Sequence, residues 1–435
     1  FLTHSPFHDF TVSIVNKEHY ITTRVPDFNI SDEMYHIKIC VPSKVTLLAQ
    51  TPWQNKQMPM AYVKEYGKGR VAYLANGHDL RAWKNPEFQK LLIRSIAWST
   101  GAEKAVKKVW CGILGFGGMA SGHARWITGT EGLELVAVCD ISPERIEAAK
   151  HTCPGLKGYF TDIEDMLVMD GLDLVVVVLP HNLHAPMALK CLEAGKHVIV
   201  EKPFCITVDE ADSMINKARE KNVMLSVFHN RRWDTDYRII MDLIDRGVIG
   251  EVFHIECFIG GYGHPGFGWR SNKEVSGGII YDWGAHFLDW ILNIIRSEVK
   301  QVMGNFQKKI WYSVTNEDHG QVYILFENGV TADLMVSNMA ASKRPQWRIL
   351  GTKGSIEADW TDEIHVISYA FGVKQDYKVK FEQVKDRWAG YYRNIADHLL
   401  MGEELIVKPE EARTVIAVIE AAQKSSELGM SVPLQ

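Results

Sequence analysis

The chain has 435 residues, of which 46% are hydrophobic and 23% charged, and its formal net charge is −5. A length of this size predicts two to four globular domains, since a domain averages roughly 150 residues. The weak negative charge and the lack of a long basic run argue against a nucleic-acid partner. The longest apolar runs are as short as a strand, so no segment is expected to span a membrane.

The start of the chain and its cysteines bear on processing and compartment. The chain begins Phe1-Leu-Thr-His4, without a methionine or a leader, which indicates a processed start or a missing N-terminal portion. The seven cysteines are scattered and form no Cys-x-x-Cys pair, so we expect free thiols and a cytoplasmic protein.

Residues 1–101 form a block of their own. Strands are predicted at 45–49 and 69–74, and an amphipathic helix at 85–98 that Gly101 ends. The block resembles the C-terminal half of a trehalose-utilisation (ThuA-like) domain in these motifs: His4-x-Pro6, Asp32-Glu33-Met-Tyr35, Tyr66-Gly-Lys-Gly-Arg70, Gly77-His78-Asp79 and Trp98-x-x-Gly101.

That resemblance implies a partial α/β block whose first half is absent, so any site shared with that half is absent or incomplete. Glu33, His78 and Asp79 are candidate site residues. The favoured alternative is that they are turn and capping residues of a remnant or docking domain. Residues 102–108 are predicted to be a charged linker.

A dinucleotide-binding pattern follows the linker. The apolar run 109–114 leads into Gly115-Phe-Gly117-Gly118-Met-Ala120, then a helical stretch and a second apolar run that ends at Asp140. Closely spaced glycines let the backbone approach a pyrophosphate at a helix N-terminus, and the acid can accept hydrogen bonds from the ribose hydroxyls. The pattern predicts an NAD site, because a carboxylate at Asp140 disfavours the 2′-phosphate of NADP. The alternative is a tight turn without a ligand.

Strands and helices go on alternating up to residue 230, which predicts a parallel Rossmann sheet over 107–230. Ser142 and Pro143 open one helix, 207–221 is another, and strands are predicted at 174–179, 197–200 and 223–228. Ligands bind at the carboxyl ends of such strands. Five polar or glycine-rich segments lie there and outline one cleft: 115–118, Asp140, 180–184, 201–203 and 230–232.

The pattern changes after residue 250. Strands with few helices between them predict an antiparallel sheet and an α+β domain over 231–435. A final helix at 410–428 is expected to pack back on the first domain. The predicted strands are 252–258, 299–306, 321–327, 330–336, 347–351 and 354–358.

Two places carry candidate chemistry. After the pair Gly277-Gly278, Asp282, His286 and Asp289 share one helix face at i, i+4 and i+7. This face could be a metal site or a buried network; we favour an acid/base pair in which Asp282 orients His286.

Lys202 is the second candidate. At the end of a buried strand it would polarise a carbonyl or stabilise an alkoxide, with a surface pair to Glu201 as the alternative. The Lys202–Pro203 bond is a candidate cis peptide. Aromatic and planar polar side chains expected to line the cleft are Trp233, Tyr262, Trp269, Trp283, Arg232, Arg270 and His264.

Together these motifs resemble the glucose–fructose oxidoreductase/inositol dehydrogenase (Gfo/Idh/MocA) family, over about residues 107–435. The motifs are Gly115-x-Gly117-x-x-Ala120, Ala137-Val-Cys-Asp140, Pro180-x-x-x-His184, Glu201-Lys-Pro203, Arg231-Arg-Trp233 and Gly277-Gly-x-x-x-Asp282-x-Gly-x-His286. His181 is a departure, because many relatives carry a smaller polar residue there.

The resemblance implies a Rossmann domain, an open antiparallel sheet that builds a homodimer or homotetramer, and an NAD(P)-dependent reaction on a sugar or polyol without a metal. It makes Lys202, Asp282 and His286 the catalytic set. The cofactor contacts it implies are Gly115, Phe116, Gly117, Gly118, Met119, Asp140, Pro180, His184, Glu201, Lys202 and Arg232, and the substrate contacts are Arg232, Trp269, Arg270, Asp282 and His286.

The predicted reaction is oxidation of a secondary hydroxyl of a sugar, glycoside or cyclitol, with NAD as the cofactor in preference to NADP. His286 takes the hydroxyl proton and Lys202 stabilises the alkoxide. One alternative is a redox-neutral glycosidase that holds NAD tightly and oxidises its substrate only transiently. Another is a cofactor-binding regulator without turnover, which the intact Lys202, Asp282 and His286 disfavour.

Overall fold

The computed structural model describes residues 3–23, 25–102, 108–370 and 372–434. The chain divides into two units, Phe1–Val106 and Lys107–Gln435, each with its own hydrophobic core. Most of the predicted linker at 102–108 lies outside the described residues. Within the described ranges, no helix combines the length and apolarity that a membrane crossing requires.

The N-terminal unit is built on antiparallel strands. Asn85 caps the helix at Pro86–Thr100 through its side chain, and Gly101 ends that helix in a left-handed conformation, as the sequence predicts. Its strands are β1 (Thr3–His4), β2 (His8–Ile14), β3 (Phe28–Asp32), β4 (Tyr35–His36), β5 (Thr46–Trp53), β6 (Lys56–Tyr66) and β7 (Gly69–Leu74); its helices are α1 (Leu80–Trp83) and α2 (Pro86–Thr100), with a 3₁₀ turn at Pro42–Lys44.

The main sheet of this unit has the order β3-β2-β5-β6-β7, and each described pair of neighbours is antiparallel. The expected α/β block is therefore corrected to an antiparallel sheet with helices. The physical reason is that β5, β6 and β7 follow one another through short turns, which return the chain antiparallel and leave no room for crossover helices.

The second unit begins with a parallel sheet. Its strands are β8 (Val109–Leu114), β9 (Leu133–Cys139), β10 (Gly158–Phe160), β11 (Leu174–Val177), β12 (His197–Val200) and β13 (Leu225–Val227). Their order in the sheet is β10-β9-β8-β11-β12-β13. Its helices are α3 (Ala120–Thr128), α4 (Pro143–Thr152), α5 (Ile163–Leu167), α6 (His184–Glu193) and α7 (Val208–Lys221), with 3₁₀ turns at His181–Leu183 and Asn230–Trp233.

This sheet is the predicted Rossmann sheet. Each residue of β11 has no exposed surface, because helices cover both faces of the sheet. The strand order reverses between β8 and β11, so their carboxyl ends open a crevice at the point where ligands bind in such folds.

The rest of the second unit is α+β. Its strands are β14 (Val252–Gly260), β15 (Val299–Gln307), β16 (His319–Phe326), β17 (Thr331–Ser337), β18 (Trp347–Gly351), β19 (Gly354–Ala358), β20 (Glu363–Ala370), β21 (Val373–Lys380) and β22 (Val432–Pro433). Its helices are α8 (Thr235–Asp245), α9 (Lys273–Ser276), α10 (Ile279–Ile295), α11 (Ala389–Met401) and α12 (Pro409–Leu428), with a 3₁₀ turn at Trp269–Ser271.

These strands form one nine-stranded sheet of order β21-β20-β19-β18-β14-β17-β16-β15-β22. The expected antiparallel pairing holds for its described neighbours except β14 and β17, which are parallel. Parallel neighbours need a long crossover, and the segment between β14 and β15, which contains α10, begins that crossover and packs on the sheet. The sheet is therefore mixed.

Helix α12 packs on β15 and also on α7 of the Rossmann layer, in line with the prediction for the last helix. Arg413 of α12 donates two hydrogen bonds to Asp212 of α7, at 2.9 and 3.0 Å. Gly304 of β15 allows the close approach of α12, because a Cβ there would lie 1.9 Å from the carbonyl oxygen of Ala422.

Replacing Gly304 with Ala should therefore lower the free energy of unfolding by about 1–3 kcal/mol, as overpacking of a close contact does. Urea unfolding followed by circular dichroism measures the change. Gly261→Ala is the matched control, since a Cβ at Gly261 meets no atom within 4 Å. Equal stability of the two variants would contradict the proposed role of Gly304.

Candidate active site

The glycine-rich turn after β8 forms a cradle for a phosphate group. Gly115 has a φ of +93°, and a Cβ there would lie 2.2 Å from the carbonyl oxygen of Val178, so the turn packs directly on the end of β11. Cβ atoms at Gly117 and Gly118 would instead meet nothing within 4 Å. Helix α3 then begins without a side-chain cap at Met119. The open glycines and the uncapped helix N-terminus fit a pyrophosphate.

Asp140 connects this turn to the loop after β9. Its buried carboxylate accepts hydrogen bonds from the backbone N–H groups of Phe116 (2.7 Å) and Ser142 (2.9 Å). The guanidinium of Arg145 lies 3.4 Å away. Asp140 stands at a strand end where a ribose is bound in this type of fold, but the predicted contacts Gly115, Phe116 and Asp140 do not themselves line the cavity. Arg145 carries no motif in the sequence and is an additional neighbour of the acid.

Glu201 is held from behind the cavity. Its carboxylate is 2.8 Å from Nε2 of His123 and accepts a hydrogen bond from its neighbour's N–H, that of Lys202, at 2.9 Å. On the other side of the imidazole, Nδ1 of His123 lies 2.5 Å from the hydroxyl of Tyr392 on α11. Burial raises the pKa of Glu201, but the hydrogen bond and charge of His123 outweigh burial and lower it. Glu201 is therefore an ionised part of a buried network.

Lys202 pairs with Asp282 across the two layers of the unit. Lys202 follows β12 of the Rossmann sheet, and Asp282 lies in the first turn of α10. The ammonium donates to the Asp282 carboxylate at 2.5 Å and to its backbone carbonyl at 3.2 Å. Burial raises the pKa of Asp282, yet the charge of Lys202 outweighs burial and keeps it below its usual value. The Lys202–Pro203 bond is cis.

His286 lies one turn further along α10 and lines the same cavity as Lys202. Its Nδ1 is buried and has no hydrogen-bond partner in the described structure. Burial and the positive charges of Lys202 and Arg231 lower its pKa well below 6.5, so the imidazole is neutral at neutral pH. The expected contact, in which Asp282 would accept a hydrogen bond from the His286 ring, is not formed among the described residues, because the Asp282 carboxylate accepts from Lys202 instead.

Two more histidines flank the end of β11. His181 lines the cavity, donates from Nδ1 to the carbonyl of Ser276 at 2.8 Å, and is kept neutral because burial lowers its pKa to about 3. His184 is buried, with its two ring nitrogens 2.7 and 2.9 Å from the carbonyls of Pro203 and Leu179. His184 thus holds two strand ends together. It was predicted to contact the cofactor, but it does not line the cavity.

The opposite wall carries an indole and a guanidinium. Trp269 packs edge-on against His181, with ring centroids 4.7 Å apart, and Arg270 lies 4.3 Å above the Trp269 ring. Arg270 also approaches the carboxylate of Asp282 at 3.7 Å. Both residues line the cavity, where a substrate contact was predicted.

Arg232 is not brought to the cavity. Its guanidinium is buried and pairs with Asp289 at 2.5 and 2.9 Å and with Glu411 at 2.8 Å. The next residue along the chain, Trp233, and the more distant Tyr262 and His264 do not line the cavity either. The neighbouring Arg231 lines it instead, because the 3₁₀ turn at Asn230–Trp233 points consecutive side chains in different directions.

The cavity has a volume of about 500 Å³, within the usual range for small-molecule sites. In the part of the chain that the structure describes, no group of three or more His, Cys, Asp and Glu side chains has the arrangement of a metal site. The cavity brings together these residues: Gly117, Gly118, Met119, Arg145, Val178, Leu179, Pro180, His181, Glu201, Lys202, Asn230, Arg231, Trp269, Arg270, Asp282, Trp283, His286 and Trp388.

The candidate residues of the N-terminal unit lie in local contacts. His78 is 2.9 Å from the Tyr35 hydroxyl and 3.7 Å from Glu33. Asp79 caps α1 by accepting a hydrogen bond from the N–H of Arg81 at 2.7 Å. This agrees with the alternative prediction that Asp79 is a capping residue.

Comparison with known proteins agrees with this geometry. The model of the "Oxidoreductase family, NAD-binding Rossmann fold" matches residues 109–229, and that of the "GFO/IDH/MocA C-terminal domain" matches 237–357. An NAD-binding protein from Listeria innocua of known structure is 32% identical; the match covers 75% of this chain and 97% of that one, with a TM-score of 0.67. The chain belongs to the GFO/IDH/MocA family. Residues 1–99 match the "Trehalose utilisation" model ThuA.

Two curated relatives match this GFO/IDH/MocA chain over different lengths. The scyllo-inositol 2-dehydrogenase (NADP⁺) IolW of Bacillus subtilis is 26% identical over 362 residues, which are 76% of this chain and 98% of the relative. A glycosyl hydrolase family 109 protein of Shewanella pealeana is 31% identical over 154 residues, 34% of each chain. Both resemblances predicted from the sequence, to Gfo/Idh/MocA and to ThuA, are confirmed.

Replacing Gly117 with Ala should weaken NAD binding about tenfold, because the methyl group would enter the open space over the turn; tenfold corresponds to about 1.4 kcal/mol. Calorimetric titration with NAD measures the affinity, and the melting temperature of the ligand-free protein should not change. Gly69→Ala in the N-terminal unit is the control, since a Cβ there makes an ordinary 3.5 Å contact. Unaltered NAD affinity in Gly117→Ala would argue against the cradle.

Proposed function

We propose that this GFO/IDH/MocA protein oxidises a secondary hydroxyl of a sugar, glycoside or cyclitol with NAD. The observation that carries the proposal is that the Lys202 ammonium and the His286 imidazole line the same cavity as the open glycines of the cofactor turn. One relative named as an inositol dehydrogenase, matched over almost its whole length, supports a polyhydroxylated ring as the substrate.

Bound NAD would supply the hydride acceptor for this oxidation. Its pyrophosphate would be held by Gly117, Gly118 and the N-terminus of α3, and its ribose by Asp140. The residues of the turn fit this cofactor, because the space over the two glycines is open and the N–H of Phe116 fixes the Asp140 carboxylate beside the turn.

The chain's own residues would handle the proton and the charge. His286 is neutral and lines the cavity, so its imidazole can take the hydroxyl proton. Lys202 would donate a hydrogen bond to the oxygen as it becomes an alkoxide. Asp282 would hold the Lys202 ammonium at the required position. This role replaces the predicted one, in which Asp282 orients the His286 ring.

A redox-neutral glycosidase with tightly bound NAD is the second candidate. The partial match to a glycosyl hydrolase family 109 protein supports it, and it would use the same cavity residues. The two candidates differ in their products, because only a dehydrogenase accumulates reduced cofactor.

The test is the absorbance of reduced nicotinamide when the protein is mixed with NAD or NADP and a panel of monosaccharides, inositols, disaccharides and aryl glycosides. A steady rise with one of them, faster with NAD, is the expected result. Release of an aryl group without a rise would favour the glycosidase. A clear preference for NADP would contradict the role given to Asp140.

Replacing His286 with Ala should lower kcat by roughly 10²–10⁴, the usual contribution of a general base. Because the pKa of His286 lies well below 6.5, the neutral base is present above that pKa and is lost only as the pH falls through it. The acid limb of the kcat/KM profile should therefore lie below pH 6.5. Near-normal turnover in the variant would reject His286 as the base.

Asn293→Ala is a suitable companion variant, since Asn293 lies on the same helix but bonds back to Asp289 and does not line the cavity. It should retain its turnover.

A further inference from the structure

A second cavity lies beside the first. It has a volume of about 550 Å³ and is formed where β14 ends, β18 begins and β19 ends. The residues that line it are 258–260, 343–346 and 359–361. None of them takes part in the proposed oxidation, and the volume is similar to that of the active-site cavity.

A pair of tryptophans joins the linings of the two cavities. Trp283 lines the active-site cavity and Trp360 lines the second one. The two rings meet edge to face with centroids 5.1 Å apart, and the guanidinium of Arg231 lies 4.6 Å from the Trp283 ring and 5.7 Å from the Trp360 ring. The linings of the two cavities therefore meet at this pair of rings.

The Trp360 side offers an open aromatic surface. Trp360 is 53% exposed and lines the second cavity, so part of its ring is open to a ligand there. Indole faces suit the C–H side of a sugar ring, because they provide apolar contact while the ring hydroxyls point sideways to polar groups.

The polar groups of the second cavity can form hydrogen bonds with the hydroxyl groups of a sugar. Lys343 makes no ion pair with any residue that the structure describes. Arg344, in contrast, forms ion pairs with Glu256 at 2.5 Å and with Asp333 at 3.2 Å. The exposed Asp359 accepts a hydrogen bond from the backbone N–H of Gln346 at 3.1 Å. A hydroxyl group both donates and accepts, so an ammonium and a carboxylate on one wall suit a polyhydroxylated ring.

The side-chain amide of Gln346 points independently to a ligand site. Its side chain is 1% exposed, yet neither its amide nitrogen nor its amide oxygen has a hydrogen-bond partner in the described structure. A buried amide without partners is costly, and hydroxyl groups of a ligand in the adjoining cavity would supply them.

We propose that the second cavity is a sugar subsite and that the substrate is a glycoside of at least two rings. The oxidised ring would lie by Lys202 and His286, and the second ring would stack on Trp360. The inference rests on the proposed function for the oxidised ring, and it narrows the substrate class, because a single cyclitol or monosaccharide cannot occupy both cavities.

The test is calorimetric titration of the NAD-loaded protein with disaccharides and with their component monosaccharides. A disaccharide should bind at least tenfold more tightly than its monosaccharides. Trp360→Ala should reduce the affinity for that disaccharide about tenfold, the scale of one lost aromatic contact, and leave monosaccharide binding unchanged. Tyr369→Ala is the matched control, because Tyr369 is also 53% exposed and lines neither cavity.

Three outcomes would overturn the subsite: no disaccharide binds more tightly than its monosaccharides, no sugar of the panel binds, or Trp360→Ala and Tyr369→Ala have equal effects. Because the readout is binding, it is separate from turnover. Tight disaccharide binding that depends on Trp360, without any change in the nicotinamide, would support the subsite and contradict the oxidation.

Discussion

The active site depends on the ion pair between Lys202 and Asp282. The lysine comes from the end of a Rossmann strand and the acid from the first turn of α10, so the pair exists only when the two layers of the second unit are packed together. The partly buried pair is strong only if its geometry is kept, and losing either member would leave an uncompensated charge in the cavity wall. The packing of α10 on the sheet therefore sets the position of the one ammonium that the proposed chemistry needs.

The other features of the site follow from that pairing. Because Asp282 is engaged by Lys202, Nδ1 of His286 keeps no partner among the described residues, and burial together with the neighbouring positive charges lowers the pKa of His286 and holds it neutral. From Glu201 in the cavity lining, His123 and Tyr392 join the same strand end to α3 and to α11. His184 links the strand ends at Leu179 and Pro203. Buried residues thus determine where the cavity side chains stand.

Local patterns in the sequence predicted much of the fold and part of the site. The strand at Val109–Leu114, the glycine turn and the capped helices could be predicted, because turns, caps and apolar runs depend on residues that are close together in the sequence. Strands β20 and β21 and helix α11 were not predicted; β21 is exposed along almost its whole length and shows no apolar alternation. The partner of Asp282 could not be predicted either, because i, i+4 spacing favours His286 and the lysine is 80 residues away. Trp388 and Arg145 reach the cavity through tertiary packing and carry no motif.

The most direct test of the account is a double-mutant cycle on kcat with Lys202→Met, Asp282→Asn and the double variant, using the sugar on which the wild-type protein turns over fastest. If the pair acts as one unit, Lys202→Met loses roughly 10² or more in kcat, as for a lost donor to a developing oxyanion. Asp282→Asn loses activity because the ammonium is no longer held, and the double variant is no slower than Lys202→Met alone. Losses that multiply would show that the two residues act independently and would contradict the account.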